Sequence, residues 1–412
     1  MKSLLVDLGQ FNAHAYSDPF FSWHNHGAGL VVASCRATGH SIDFTGLKYL
    51  TDWEAFKQKI KGYDLVGFSC LSTDLPKLKQ AVRIVKELNP KTITIVGGMQ
   101  VTVGTQSLLD NPDIDYIFHG EAEITFPKFL EDPSKFDREI RGEPTSNLDL
   151  IPWIDRMIYP MPLERNVQMW GESPIFTVLT ARGCPFNCSF CQPAEKKHFG
   201  AMVRRRSVEN VIGEIKEYLK FKPKFIIFHD DHFCFNKQWL EDFIEAYRPI
   251  SLPFWAATRA DFVCQYPEMF TKLKEVGMEV CSIGFESGSQ RILDMVRKGT
   301  TVEQNYQSAS IIGKTGMQIY ANIMYGFPTE TKEEQMATRK LCNHISSVSK
   351  ALISPAFFTP YPGNDLGDDC IAQGLSMVDE DHLNRYGKDK IKGVDYEFLS
   401  GLVAGLYDNL IK

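Results

Sequence analysis

Two hydrophobic periods run through the chain and change over once. In the first third, short apolar runs of strand length alternate with amphipathic stretches of helical length. Leu4 to Leu8 is followed by Gly27 to Ser34, read as a helix beginning on glycine, and then by Ser41 to Phe44 and Tyr63 to Ser69. A helix from Lys77 to Glu87, a run from Thr92 to Gly98 and another from Ile114 to Phe118 continue the series. Buried strands alternating with helices predict a parallel sheet covered on both faces, a doubly wound, Rossmann-like α/β domain, here over 1–145. Prolines at 133, 144, 152, 160, 162 and 174 then interrupt every period, so 146–174 reads as a crossing between domains.

From Ile175 the repeat is longer. Strands are predicted at 176–180, 225–230, 254–257, 279–284, 318–325 and 351–358, with helices such as 207–220, 237–247 and 303–315 between them. Six parallel strands in this order predict a partial (β/α)6 TIM-like barrel over 175–365, followed by a short helical tail at 366–412 with a last helix from Asp395 to Leu410. In both architectures ligands sit outside the carboxyl ends of the strands. In the first domain those ends carry Ser69, Leu71, Gly97 and Gly98.

The chemistry concentrates at the start of the second period. Cys184, Cys188 and Cys191 are spaced C-x3-C-x2-C on a loop entered from an apolar strand. Three thiolates are soft donors for an iron–sulfur cluster or for zinc, but a structural zinc site takes four ligands, and only the more distant His198 offers a fourth. A cluster held by three cysteines keeps one iron open. Further along, His229-Asp230-Asp231-His232 follows the second strand, Arg259 the third, Glu286-Ser287 the fourth and Gly326 the fifth. The planar fork of Arg259 suits a carboxylate, whether that of a ligand or that of Asp261 or Glu286.

The cysteine motif resembles that of the radical S-adenosylmethionine (SAM) superfamily. The segments at 229–233, 282–288, 323–330 and 357–364 fall in the order of that family's strand-end motifs, with Asn364 where a threonine is common. The resemblance implies a [4Fe–4S] cluster on the three cysteines whose open iron is chelated by SAM. It also implies SAM contacts at Asp230 or Asp231, Arg259, Glu286 with Ser287, and Gly326. Residues 1–145, with Gly39-His40, Ser69-Cys70-Leu71, Gly97-Gly98 and Gly120-Glu121, resemble the cobalamin-binding domain of one branch of the family. That resemblance implies cobalamin at Ser69, Leu71, Gly97 and Gly98. The Asp-x-His-x-x-Gly signature of other cobalamin proteins is absent from this stretch, and His24 and His26 are more naturally polar loop residues than axial ligands.

The expected chemistry is cleavage of SAM to a 5′-deoxyadenosyl radical and cobalamin-dependent methylation of an unactivated carbon in a small molecule. The alternatives are a non-methylating radical reaction on the same fold and a non-enzymatic cluster or zinc protein. The family further implies an electron donor such as flavodoxin or ferredoxin. No catalytic acid or base can be named from the sequence. Composition changes little: 412 residues, 43% hydrophobic and 23% charged, describe an ordinary globular chain. The net charge of −6 argues against nucleic acid, and Arg204-Arg205-Arg206 reads as a solvated patch. No run approaches the length of a membrane span, and ten cysteines, seven of them scattered singly, suit the reducing cytoplasm better than a disulfide framework.

Overall fold

A computed structural model describes residues 1–9, 11, 23–164, 173–191, 196, 202–379 and 389–407. The described residues fall into two compact units. One holds the chain up to 164 together with 196 and 202–205; the other holds 173–191, 206–379 and 389–407.

The main sheet of the first unit is built from β1 (Ser3–Asp7), β2 (Ile42–Gly46), β3 (Leu65–Ser69), β4 (Ile93–Gly97), β5 (Tyr116–His119) and β6 (Glu139–Arg141). They form one parallel sheet in the order β2-β1-β3-β4-β5-β6. Side chains alternate between its faces, as a period of two requires. Leu4, Val6, Val66, Phe68 and Val96 pack with Phe56, Leu75, Leu78 and Val82 on one side. Leu5, Leu65, Ile95 and Phe118 pack with Ala28, Val32, Phe126 and Phe129 on the other. The expected doubly wound fold is present.

The first helix differs from its expected start. It spans His26–Ala37 and is capped by Asn25, whose side chain accepts from Ala28 N at 3.0 Å. Asparagine is a far better cap than glycine is a first turn, and Asn25 does more than cap. Its Nδ2 donates to Asp7 Oδ1 at 2.7 Å and to Ser69 Oγ at 3.1 Å, tying the helix to the carboxyl ends of β1 and β3, where the strand order reverses.

The proline-broken stretch is also less linker-like than its prolines suggest. Its Ile154 and Tyr159 are buried in the first unit's core. Short extended and 3-10 pieces tolerate proline where a helix would not.

In the second unit, β7 (Ile175–Val178), β8 (Phe225–Phe228), β9 (Phe254–Thr258), β10 (Met278–Glu286), β11 (Gln318–Tyr325) and β12 (Ala351–Phe357) are parallel and lie side by side in chain order. This is the wall of a partial (β/α)6 barrel. The helices between strands start where the sequence can cap them. Thr301 with Gln304, and Thr331 with Glu334, form reciprocal capping boxes ahead of Val302–Thr315 and Lys332–Val348. Outside the sheet, Phe228, Phe233, Phe243, Tyr247 and Phe254 form a ring cluster that cements β8 and β9 to helix Lys237–Tyr247. The last helix runs Tyr396–Tyr407, one residue after its expected start; 408–410 lie outside the described residues, as do Gln192, Pro193 and His198. Among the described residues no helix is long and apolar enough to cross a membrane.

Candidate active site

The loop after β7 is fastened from beneath before it reaches its third cysteine. Asp230, buried at the end of β8, accepts from Thr180 N at 2.6 Å, from Ala181 N at 3.0 Å and from the Thr180 hydroxyl. Its lone pairs are thus committed to the segment that launches the cysteine loop. Asp231 is accessible yet lodged among protein atoms, and its carboxyl is pushed up by desolvation and then by Asp230. Of the two aspartates expected to meet SAM, Asp230 is buried and Asp231 is exposed.

Farther along the loop, Ser189 N donates to Val296 O and Leu366 N donates to Ser189 O, each at 2.9 Å. Phe190 packs on a cluster that includes Ile292, Val296, Phe327 and Phe358. These anchors leave Cys184 and Cys188 half-buried and Cys191 exposed. The Cys191 thiol is pushed up to about 12, first by desolvation and then by Asp231, Cys188 and Cys184, with Lys298 opposing. Cys191 therefore feels both of the other thiols. Among the described residues no three Cys, His, Asp or Glu converge closely enough for a single metal ion. A cubane makes no such demand, because each thiolate binds a different iron, and three thiols on one anchored loop, with Arg259 Nη1 4.0 Å from Cys188 Sγ, fit it.

Arg259, at the end of β9, lies with its guanidinium 3.6 Å above the Phe186 ring and Nη1 4.0 Å from Cys188 Sγ. Its Nε and Nη2 donate to Asp261 at 3.1 and 3.0 Å, and Nη2 also donates to Lys298 O at 2.6 Å. The edge expected to receive the carboxylate of SAM is engaged by Asp261.

Glu286 closes β10 in an unusual conformation. The β10–β11 register shifts between Gly284 and Glu286, and Glu286 has φ 61°, the left-handed region that L residues avoid. The bulge turns its carboxylate back to Lys298, with Oε1 2.8 Å from Nζ in a nearly dry setting. Gly284 makes the room: a Cβ there would lie 2.5 Å from Glu286 Oε1 and 2.7 Å from Lys298 Nζ. Lys298 is the residue the sequence reading missed. Its only signal was a lysine in a Lys-Gly turn, which ordinarily reads as surface.

Ser287 serves the scaffold. Its hydroxyl pairs with Thr338 Oγ1 at 3.1 Å, and its carbonyl accepts from Asn305 Nδ2 at 3.1 Å. Gly326, with φ 76°, donates its N–H to Glu330 Oε2 at 2.7 Å, and Phe327 N–H shares that oxygen at 3.3 Å. Burial pushes the Glu330 carboxyl up to about 7.

In the first unit, Ser69 and Gly97 end β3 and β4, and Leu71 and Met99 stand exposed just beyond. An added Cβ at Gly97 would meet only ordinary contacts with Phe118, at 3.6 Å and more. Gly98 differs: with φ 96°, its Cβ would press on Cys70 O at 2.7 Å. Exposed apolar side chains beside open backbone fit a large, mostly apolar corrin. His24 is buried, stacked on Tyr159 at 3.9 Å with Nδ1 3.3 Å from Glu164, and burial lowers its pKa to about 4. It is a core histidine. The arginine triplet is not a solvated patch: Arg204 pairs with Glu121 in the first unit, and Arg206 pairs with Glu214 at 2.6 Å in the second.

Comparison with known proteins identifies both parts of the chain. The family described as the Radical SAM superfamily matches residues 178–342, and the B12 binding domain matches 18–130. An uncharacterized methyltransferase of Pyrococcus horikoshii is 31% identical over 337 residues, 76% of this chain and 71% of that protein. The hopanoid C-3 methylase of Methylococcus capsulatus is 25% identical, covering 85% of this chain and 69% of that one. Among solved structures, the radical SAM methyltransferase TsrM of Kitasatospora setae has the same fold, with a TM-score of 0.71 at 14% identity over all of this chain and 89% of its own. Cysteine loop, barrel and doubly wound domain thus lead to one assignment: the chain is an enzyme of the radical SAM superfamily that carries a B12-binding domain, with a [4Fe–4S] cluster, SAM and cobalamin as its cofactors.

Proposed function

We propose that the enzyme methylates an unactivated carbon of a small-molecule substrate. When bound, the cluster and SAM supply a hydrogen-abstracting 5′-deoxyadenosyl radical, and cobalamin supplies the methyl group. The observation that carries the reading is the combination of three loop thiols with a B12-binding domain in one chain, beside relatives named as methyltransferases.

In this reading Cys184, Cys188 and Cys191 hold the cluster. Lys298, buried and held by Glu286 through one of its three donors, offers the others to the SAM carboxylate. Glu286 fixes the Lys298 ammonium, Asp231 would receive the SAM ammonium, and the backbone about Gly326 would hold adenine. Ser69, Leu71, Gly97 and the Gly98 turn form the cobalamin edge. The chain's own contribution is orientation and the exclusion of water.

Reduced flavodoxin or ferredoxin is the expected electron source. A cytoplasmic setting accords with ten cysteines that form no disulfide. The test is anaerobic incubation of the cofactor-loaded enzyme with candidate metabolites and SAM carrying a labelled methyl group, followed by mass spectrometry. Label in a carbon-bound methyl of the product supports the reading; 5′-deoxyadenosine with an unlabelled, rearranged or dehydrated product refutes it.

A further inference from the structure

Arg259 is held on four sides by groups of the protein itself. Asp261 takes the Nε–Nη2 edge, the Lys298 carbonyl takes a second Nη2 proton, the Phe186 ring lies under the guanidinium plane, and Cys188 Sγ faces Nη1. The residue is 6% exposed. A planar cation with five donors in fixed directions can offer an incoming carboxylate no free fork here.

Two of the four holders, Phe186 and Cys188, belong to the cysteine loop, and Lys298 belongs to the turn that faces Cys191. The guanidinium therefore joins the loop to the rest of the barrel's carboxyl end. Its charge is permanent, and it stands beside one sulfur of the three. We infer that Arg259 is a positioning residue of the cluster-binding loop, fixing Phe186 and Cys188 and setting a constant positive charge against the Cys188 sulfur.

The inference rests on the cysteine-cluster reading above. Adding one electron to a cluster makes its site more negative, and a fixed cation at a ligand sulfur favours the reduced form. Losing that cation should lower the reduction potential whether or not SAM is present. A residue that served only as a SAM contact would leave the SAM-free potential alone.

The experiment compares wild type, Arg259→Gln and Arg259→Lys after anaerobic reconstitution with iron and sulfide. Each is titrated with dithionite under EPR observation without SAM, and SAM affinity is measured separately. The glutamine variant should lose about tenfold in the one-electron equilibrium constant, about 59 mV. The lysine variant, which keeps the charge, should lose less than half of that, and both should bind SAM within threefold of wild type. An unchanged potential with tenfold weaker SAM binding in Arg259→Gln would overturn the inference and make the arginine a SAM contact.

If Arg259→Gln takes up no iron, uptake regained in Arg259→Lys supports the inference. So does uptake lost in both while the apo-proteins unfold at the wild-type temperature. Apo-proteins that both melt early would overturn it, because the arginine would then serve the fold alone. A Cys188→Ala protein that assembles a full cluster would instead remove the cluster reading on which the inference stands.

Discussion

Glu286 folds back beneath Gly284 to meet Lys298, and the pair exists only because the chain bulges at the end of β10. A left-handed glutamate, a glycine with no room for a methyl group and a buried lysine form one device. Lys298→Ala is expected to weaken SAM binding by about 2 kcal/mol, the scale of a lost charge-assisted hydrogen bond. Calorimetric titration of SAM into reconstituted protein checks this, and an unchanged dissociation constant would remove Lys298 from the site.

Gly284→Ala tests the same device from its other side. The new methyl would fall within 2.7 Å of both charged ends, so the two flexible side chains must part. SAM affinity should fall while the unfolding midpoint stays near wild type, since the clash involves side-chain ends and not backbone. A variant that binds SAM normally would show that the pair is incidental.

Cys184→Ala, Cys188→Ala and Cys191→Ala should each abolish 5′-deoxyadenosine formation. Cys35→Ala and Cys342→Ala should leave it measurable, because both are fully buried packing residues whose truncation costs only about 1–2 kcal/mol of stability. Product analysis by chromatography decides; turnover by a Cys188→Ala protein reconstituted with iron and sulfide contradicts the assignment.

Cobalamin uptake is best probed at Gly97. A side chain at Gly98 would press on the Cys70 backbone and strain the sheet end itself, whereas Gly97 has space for one. Gly97→Leu should reduce corrin retained after gel filtration at least tenfold and leave the cluster absorption intact. Full retention would place the corrin elsewhere.

His24 makes the first unit sensitive to acid. Its folded pKa of about 4 lies below the ordinary 6.5, so between those values the unfolded chain binds a proton that the folded chain refuses. The associated stability is fully present above pH 6.5 and is lost as pH falls toward 4, about 2 kcal/mol of it by about pH 5. Glu164 opposes the shift, while Arg156 and Lys48 add to it. Asp74, raised to about 6 by burial, acts in the opposite sense over part of the range. Urea titrations of wild type and His24→Gln near pH 7 and pH 5 isolate the histidine; equal pH slopes would contradict the assignment.

The strands and the cysteine loop were legible because each rests on local pattern: period-two burial such as Leu4/Val6 against Leu5, and three thiols within eight residues. What could not be read was partnership across the chain. Arg259 was left open between a ligand and Asp261 or Glu286, because nothing in Thr258-Arg259-Ala260-Asp261 says which carboxylate takes its edge. Asp230 looked like a ligand contact until Thr180, fifty residues earlier, claimed it. Lys298 was missed because burial of a lysine depends on a glutamate twelve residues before it and on a glycine before that. The capping role of Asn25 was available in the sequence and was obscured by the glycine two residues on.

Arg204 reaches Glu121 in a nearly buried ion pair and also donates to Thr145 O at 2.8 Å, so the first unit is finished by residues that follow the cysteine loop in sequence. On the ribosome this sets an order of events. The sheet can assemble once β6 has emerged, but its last ion pair must wait for some forty further residues beyond Glu164, roughly two to eight seconds at ordinary synthesis rates. All three cysteines leave the tunnel within that interval. The amino-terminal unit therefore cannot reach its final stability before the cluster ligands are exposed.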